Sequence, residues 1–142
     1  MRLALAILLL ASPAVAWEFT PSPICTLTHD TETAEVRVTY DARLPEYAIE
    51  ITRRDTPWSP GPVFAIRFDG PRGLTISTDR HGLGDGGQSL TVADSGFGNV
   101  LNGLEFNDSA TALLGDQTVT VPLTGAAPQV QKFRACTEAP LA

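Results

Sequence analysis

The segment AEVRVTYD, residues 34–41, decides the fold of this chain. Its apolar positions are Val36, Val38 and Tyr40, and charged or hydroxyl side chains stand between them. Alternation with a period of two is typical of a β-strand that buries one face and exposes the other. The segment therefore predicts a half-buried strand and favours a fold built from sheets.

The same alternation recurs on both sides of this segment, and it predicts six more short strands. They cover residues 24–28, 47–52, 63–68, 74–78, 89–92 and 118–123. Turn-forming segments such as DGPRG, residues 69–73, separate them. About seven short strands separated by turns predict a mainly β fold, either an antiparallel β-sandwich or an open barrel.

Two segments change from the period of a strand to that of a helix. Residues 97–104 carry apolar side chains at the spacing of one or two helical turns. Residues 124–136 predict a short C-terminal helix, with Thr124 as its N-cap and Pro128 in its first turn. Residues 110–114 fit a strand or a helix. Pro122 lacks an N–H and indicates a sheet edge or a strand end.

The N-terminal segment MRLALAILLLASPAVA, residues 1–16, has the pattern of a secretory signal peptide. One Arg precedes a short apolar run, and the segment ends in Ala14-Val15-Ala16, which predicts cleavage after Ala16. Residues 17–142 then form a single β-rich domain. Because Trp17 rather than a cysteine follows the cleavage site, we expect a soluble periplasmic or secreted protein without a lipid anchor or transmembrane span.

The composition excludes several classes of function. The chain has 10 Lys and Arg against 16 Asp and Glu, and its formal net charge is −6. Such an acidic chain lacks the basic surface that nucleic-acid binding requires. An exported protein also has no access to the cytosolic nucleotide pool. We therefore expect no nucleic acid, no nucleotide and no other cofactor.

Two cysteines, Cys25 and Cys136, lie near opposite ends of the predicted domain. An even number of cysteines in an exported chain favours a disulfide. Closing so long a loop stabilises a fold by about 4–5 kcal/mol in the chain-entropy model. The alternative, two reactive thiols, is disfavoured because neither cysteine belongs to a C-x-x-C motif.

The segment 79–87 carries the residues that most resemble a chemical site. Asp79, His81 and Asp85 lie close together in sequence and are candidate metal ligands, although calcium and zinc sites usually need more donors. The glycines of GLGDGG, residues 82–87, match G-x-G-x-x-G, but a predicted strand follows them, so a hairpin is favoured. A solvated polar turn is the alternative to a metal site.

A second candidate is the proline-rich loop PWSPGP, residues 57–62. Trp58 lies in a Pro-x-x-Pro pattern formed by Pro57 and Pro60, and aromatic residues on rigid loops often contact partners. The alternative is that Trp58 covers an open end of the sandwich. His29 followed by Asp30 offers a base with a neighbouring carboxylate, but we assign no catalytic residue.

The C-terminal stretch combines TVTVPLTGA, residues 118–126, with Phe133 and Cys136. A strand ending in L-x-G, a short helix and F-x-x-C resembles the C-terminal part of small bacterial periplasmic proteins of the invasion-associated locus B type. The resemblance implies a periplasmic β-sandwich with a structural disulfide and no catalytic residues to carry over.

These observations favour a non-enzymatic exported protein that binds or stabilises an envelope component, such as an envelope protein or a glycan. One alternative is a small hydrolase or metal-dependent enzyme that uses the 79–87 loop. Another is an inhibitor of an envelope enzyme that presents the 57–62 loop.

Overall fold

The computed structural model describes residues 16–140, so the predicted signal peptide lies outside the described residues except for Ala16. The strands are β1 (Glu18–Thr20), β2 (Cys25–Asp30), β3 (Ala34–Asp41), β4 (Glu46–Arg53), β5 (Phe64–Asp69), β6 (Leu74–Thr78), β7 (Gly82–Gly84), β8 (Ser89–Asp94), β9 (Ser109–Leu114) and β10 (Gln117–Pro122). The helices are α1 (Gly98–Phe106) and α2 (Ala126–Glu138). The mainly β fold with a C-terminal helix is confirmed.

The strands form two separate antiparallel sheets. One sheet has six strands in the order β1-β2-β3-β4-β8-β7, and the other has four in the order β10-β9-β5-β6. The inward residues of both sheets share one apolar core, in which Leu27, Val38 and Leu114 are completely buried. Two sheets packed face to face make the molecule a sandwich rather than the alternative open barrel.

Three strands go beyond the seven that the sequence predicts. β1 and β7 have three residues each, too few for an alternating pattern to stand out. β9 lies between β10 and β5 and is buried on both faces, from Ala110 to Ala112. Thr111 is buried like the alanines on either side of it, and all three are small, so no exposed polar face distinguishes this strand from a helix.

The predicted C-terminal helix is confirmed, but its predicted N-cap is wrong. α2 begins at Ala126, and the N-cap residue is Gly125 in the left-handed conformation, with φ +78°. Thr124 lies one residue too early to cap the helix. A glycine adopts this backbone conformation without the strain that a side chain would add. Val130 and Phe133 turn inward from α2 and are completely buried.

Helix α1 lies very close to the four-stranded sheet because it carries a glycine at the contact. A Cβ atom on Gly103 would lie 2.4 Å from ring carbons of Phe68, so a larger residue would force the helix away. The Asn107 side chain, just after the helix, binds the backbone of Arg72 in the β5–β6 turn, in both directions at 2.9 Å. These contacts fix α1 beside β6.

Pro122 ends β10, which is an edge strand of the four-stranded sheet, as its missing N–H predicts. Within residues 16–140, neither helix has the length and apolar character needed to cross a membrane.

Candidate functional site

Cys25 and Cys136 form the predicted disulfide, with their Cα atoms 6.0 Å apart. Cys25 is the first residue of β2, and Cys136 lies in the last turn of α2. The bond spans 111 residues in sequence and attaches the C-terminal helix to the six-stranded sheet. This pairing confirms a structural role for both cysteines.

The proline-rich loop is anchored to its surroundings, and Trp58 points into the protein. The indole is 3% exposed, and its Nε1 donates a hydrogen bond to the carbonyl oxygen of Ile51 at 3.1 Å. The Trp58 amide donates to Gly87 O at 2.8 Å. Pro57 and Pro60 are exposed. The indole thus packs in the core. This position agrees with the interpretation in which Trp58 covers an open end of the sandwich rather than contacting a partner.

The 79–87 segment contributes to a β-hairpin at the edge of the sheet, and it does not form a cluster of metal ligands. Asp79 and Asp85 are exposed, and Asp85 accepts a hydrogen bond from Ser89. His81 Nε2 lies 2.8 Å from Gly61 O, so this nitrogen donates to a carbonyl group. Across residues 16–140, no three His, Cys, Asp or Glu side chains gather into a group that could hold a metal ion. The structure does not bring Asp79, His81 and Asp85 together.

The predicted hairpin at the glycine-rich stretch is confirmed. Gly82–Gly84 forms β7, which pairs antiparallel with β8, with Gly84 opposite Ser89. The phosphate-binding arrangement needs an α-helix after these glycines, but a strand follows.

His29 belongs to an apolar contact at one edge of the sandwich. Its ring stacks on Trp17 with 4.9 Å between centroids and 11° between planes. Burial lowers the pKa of His29 below its usual value of 6.5, because a charged imidazole is poorly solvated there. Trp17 Nε1 donates to Pro122 O at 2.9 Å, which links the two sheets at this edge. These contacts indicate a structural role.

A concave site opens at the opposite edge of the sandwich, and we call it the intersheet cleft. It has a volume of about 370 Å³ and lies between β4 and β8 of one sheet and β5 and β6 of the other. Its apolar walls include Ile49, Ile66, Ile76, Val92 and Phe97. Small-molecule sites of proteins are commonly of this size, concave and mostly apolar.

Polar residues surround the mouth of the intersheet cleft. Arg80 follows β6, Asp94 ends β8, and Arg80 Nη2 lies 3.0 Å from Asp94 Oδ2. Their ion pair connects the two sheets across the mouth. Thr78 and Asn99 also line this part of the cleft. An apolar interior with a polar mouth suits a ligand that has an apolar part and a polar part.

One wall of the intersheet cleft is supported from behind by aromatic side chains. Phe97 is 5% exposed and stacks on Tyr47, with 5.4 Å between the ring centroids. Tyr47 in turn contacts Tyr40 at 4.5 Å and Phe133 of α2 at 6.3 Å. The cleft wall is therefore continuous with the packing of α2.

Sequence reasoning missed the intersheet cleft, although one signal for it was present. Along β8, Leu90, Val92 and Asp94 occupy successive inward positions, so a carboxylate stands where the pattern calls for an apolar residue. Such an exception marks the place where the interior meets solvent.

No protein-family model matches the chain, and neither curated proteins nor solved structures show significant similarity to it.

Proposed function

We propose that this protein is an exported binding protein of the cell envelope and that it holds the apolar part of its ligand in the intersheet cleft. The cleft carries this proposal: about 370 Å³ of space between the sheets, with apolar walls and an ion pair at its mouth. Burial of apolar ligand surface would supply the binding free energy. The protein would bind an envelope component without transforming it.

Export is supported by two independent features. The sequence begins with the pattern of a signal peptide, and the disulfide between Cys25 and Cys136 is typical of oxidising compartments. Membership of the invasion-associated locus B type stays a prediction. Two alternatives stay predictions without support from the described residues. A hydrolase or metal-dependent enzyme would need the 79–87 loop, where Asp79, His81 and Asp85 do not come together, and an inhibitor would act through the 57–62 loop, where Trp58 is buried.

The proposed binding site can be tested by filling it. An environment-sensitive apolar dye should bind the protein and gain fluorescence. Val92→Trp places a large ring within the intersheet cleft and should weaken dye binding at least about tenfold, equivalent to about 1.4 kcal/mol. The measurement is a fluorescence titration of each variant, after circular dichroism has shown that it is folded.

Val63→Trp is the matched control, because Val63 is a half-exposed valine outside the cleft lining. It should bind the dye like the wild type. A wild-type protein that does not bind the dye, or a Val92→Trp variant that binds it unchanged, would contradict the proposal.

A further inference from the structure

The mouth of the intersheet cleft carries two charged side chains that could select the polar group of a ligand. Among its described lining residues, Arg80 and Asp94 are the two with charged side chains. Arg80 follows β6 of one sheet, Asp94 ends β8 of the other, and they bind each other through one guanidinium nitrogen and one carboxylate oxygen. A charged group on a ligand that enters the cleft would therefore be attracted to one of these two side chains and repelled by the other.

Asp94 is already stabilised by the turn that follows it. Its Oδ1 accepts a hydrogen bond from the Ser95 amide at 2.6 Å, while Oδ2 accepts from Arg80. The Ser95 amide is the main reason why the pKa of Asp94 lies below its usual range. The Ser95 amide thus favours the charged carboxylate more than the guanidinium does, although the charge of Arg80 also lowers this pKa.

Arg80 has more hydrogen-bonding capacity than Asp94 uses. A guanidinium has five N–H donors in a planar fork that matches a carboxylate or phosphate. Within the described chain, Arg80 uses one nitrogen of that fork for Asp94, and its side chain is 69% exposed. It is therefore able to bind a second anion while it stands at the mouth of the cleft.

We infer that the ligand is an amphiphile whose anionic head group binds Arg80 and whose apolar chain lies between the sheets. The inference rests on the proposed function, because it requires the cleft to be a binding site. The apolar chain would contact Ile76 of β6 and Val92 of β8, which line the cleft from its two sides. Since the chain carries a formal net charge of −6, preference for an anion would arise from this local contact.

The inference is tested by displacement of the apolar dye with ligands that share a decyl chain and differ in the head group. The probes are decanoate, decyl phosphate, decanol and decylamine. Decanoate or decyl phosphate should displace the dye at concentrations about tenfold lower than decanol, as expected for charge-assisted hydrogen bonds. The better of these two identifies the anionic group.

Arg80→Gln should remove the preference for the anions and leave displacement by decanol unchanged. Arg80→Lys keeps the charge but loses the planar fork, so it should keep part of the preference. Arg67→Gln is the matched control, because Arg67 is a half-exposed arginine on β5 that also pairs with a carboxylate, Asp69. It should behave like the wild type.

The outcomes separate this inference from the proposed function. Equal displacement by all four probes would overturn the anionic head group and leave the cleft as an apolar binding site. Preference for decylamine would also overturn it, by assigning the head group to Asp94. An anion preference that survives Arg80→Gln would place the contact elsewhere. Dye binding that no probe displaces would count against both proposals.

Discussion

The two long edges of the sandwich differ: one is closed by packing and a disulfide, and the other opens into the intersheet cleft. At the edge of β1 and β10, Trp17 is 2% exposed, and α2 packs over β1 and β2 with a disulfide at its end. At the edge of β6 and the end of β8, which β7 leaves unpaired beyond Thr91, an exposed ion pair spans the mouth of a cleft of about 370 Å³. Apolar burial and a covalent bond close the first edge permanently, whereas exposed ion pairs contribute little to stability.

This contrast suggests that one edge of the sandwich serves stability and the other serves binding. The closed edge stabilises the fold, so the open edge can keep space that a fully packed core would fill. Unfilled space costs stability, and a protein keeps it where the space has a use. Substitutions should therefore have large effects on unfolding at the closed edge and large effects on binding at the open edge.

The largest effect on stability is expected from Trp17→Ala. The substitution removes a buried indole, its stack on His29 and its hydrogen bond to Pro122 O. Truncation of a buried aromatic residue costs about 3–5 kcal/mol. Urea unfolding would measure the loss, with Leu44→Ala as an exposed control that should change little. A loss as small as that of the control would mean that Trp17 does not close this edge.

The next largest effect is expected when both disulfide cysteines are replaced by serine. Removal of a native disulfide from a small exported domain typically costs about 2–5 kcal/mol, because the unfolded chain gains conformational freedom. The unfolding midpoint should fall, and reduction of the wild type should lower it to a similar value.

Arg80→Gln provides the comparison at the open edge and should leave this midpoint almost unchanged. An equal loss in both cases would remove the distinction between the two edges. An unchanged midpoint in the serine variant would show that α2 stays packed on the six-stranded sheet without the disulfide.

The smallest effect is a pH dependence at the closed edge. Because burial lowers the pKa of His29, the unfolded chain binds a proton more readily than the folded one near the usual value of 6.5. The free energy of unfolding should therefore be largest above that pH and should decrease as the pH falls towards the folded-state pKa. His29→Phe keeps an aromatic ring against Trp17 and should give a flatter profile between pH 7.5 and 5. Parallel profiles for the two proteins would contradict the assignment.

Much of the fold follows from the sequence because most strands bury one face. β3, β4 and β5 alternate clearly, and glycines and prolines mark their turns. The sequence does not reveal β9, whose small residues pack on both faces. The sequence also favours Thr124 as the N-cap, because a threonine side chain can accept a hydrogen bond at that position. The actual N-cap, Gly125, has a left-handed backbone conformation that residue preferences for capping do not predict.

The candidate site is less readable because its residues come from distant segments. Ile49 and Val92 belong to one sheet, and Ile66 and Ile76 to the other. Sequence motifs instead draw attention to Trp58, which the structure buries. Arg80 stands directly between the candidate ligands Asp79 and His81, but its partner Asp94 is 14 residues away. Only the packing of the sheets reveals that these charges share a cleft.

The contact between Trp17 and Pro122 also has a consequence for the order in which the chain can fold. Its two residues are 105 positions apart, so the first strand of the domain cannot complete its packing until nearly the whole chain is present. Under the proposed export, the closed edge would form only when both ends of the domain are on the same side of the membrane, and its final closure would therefore wait until translocation is almost complete.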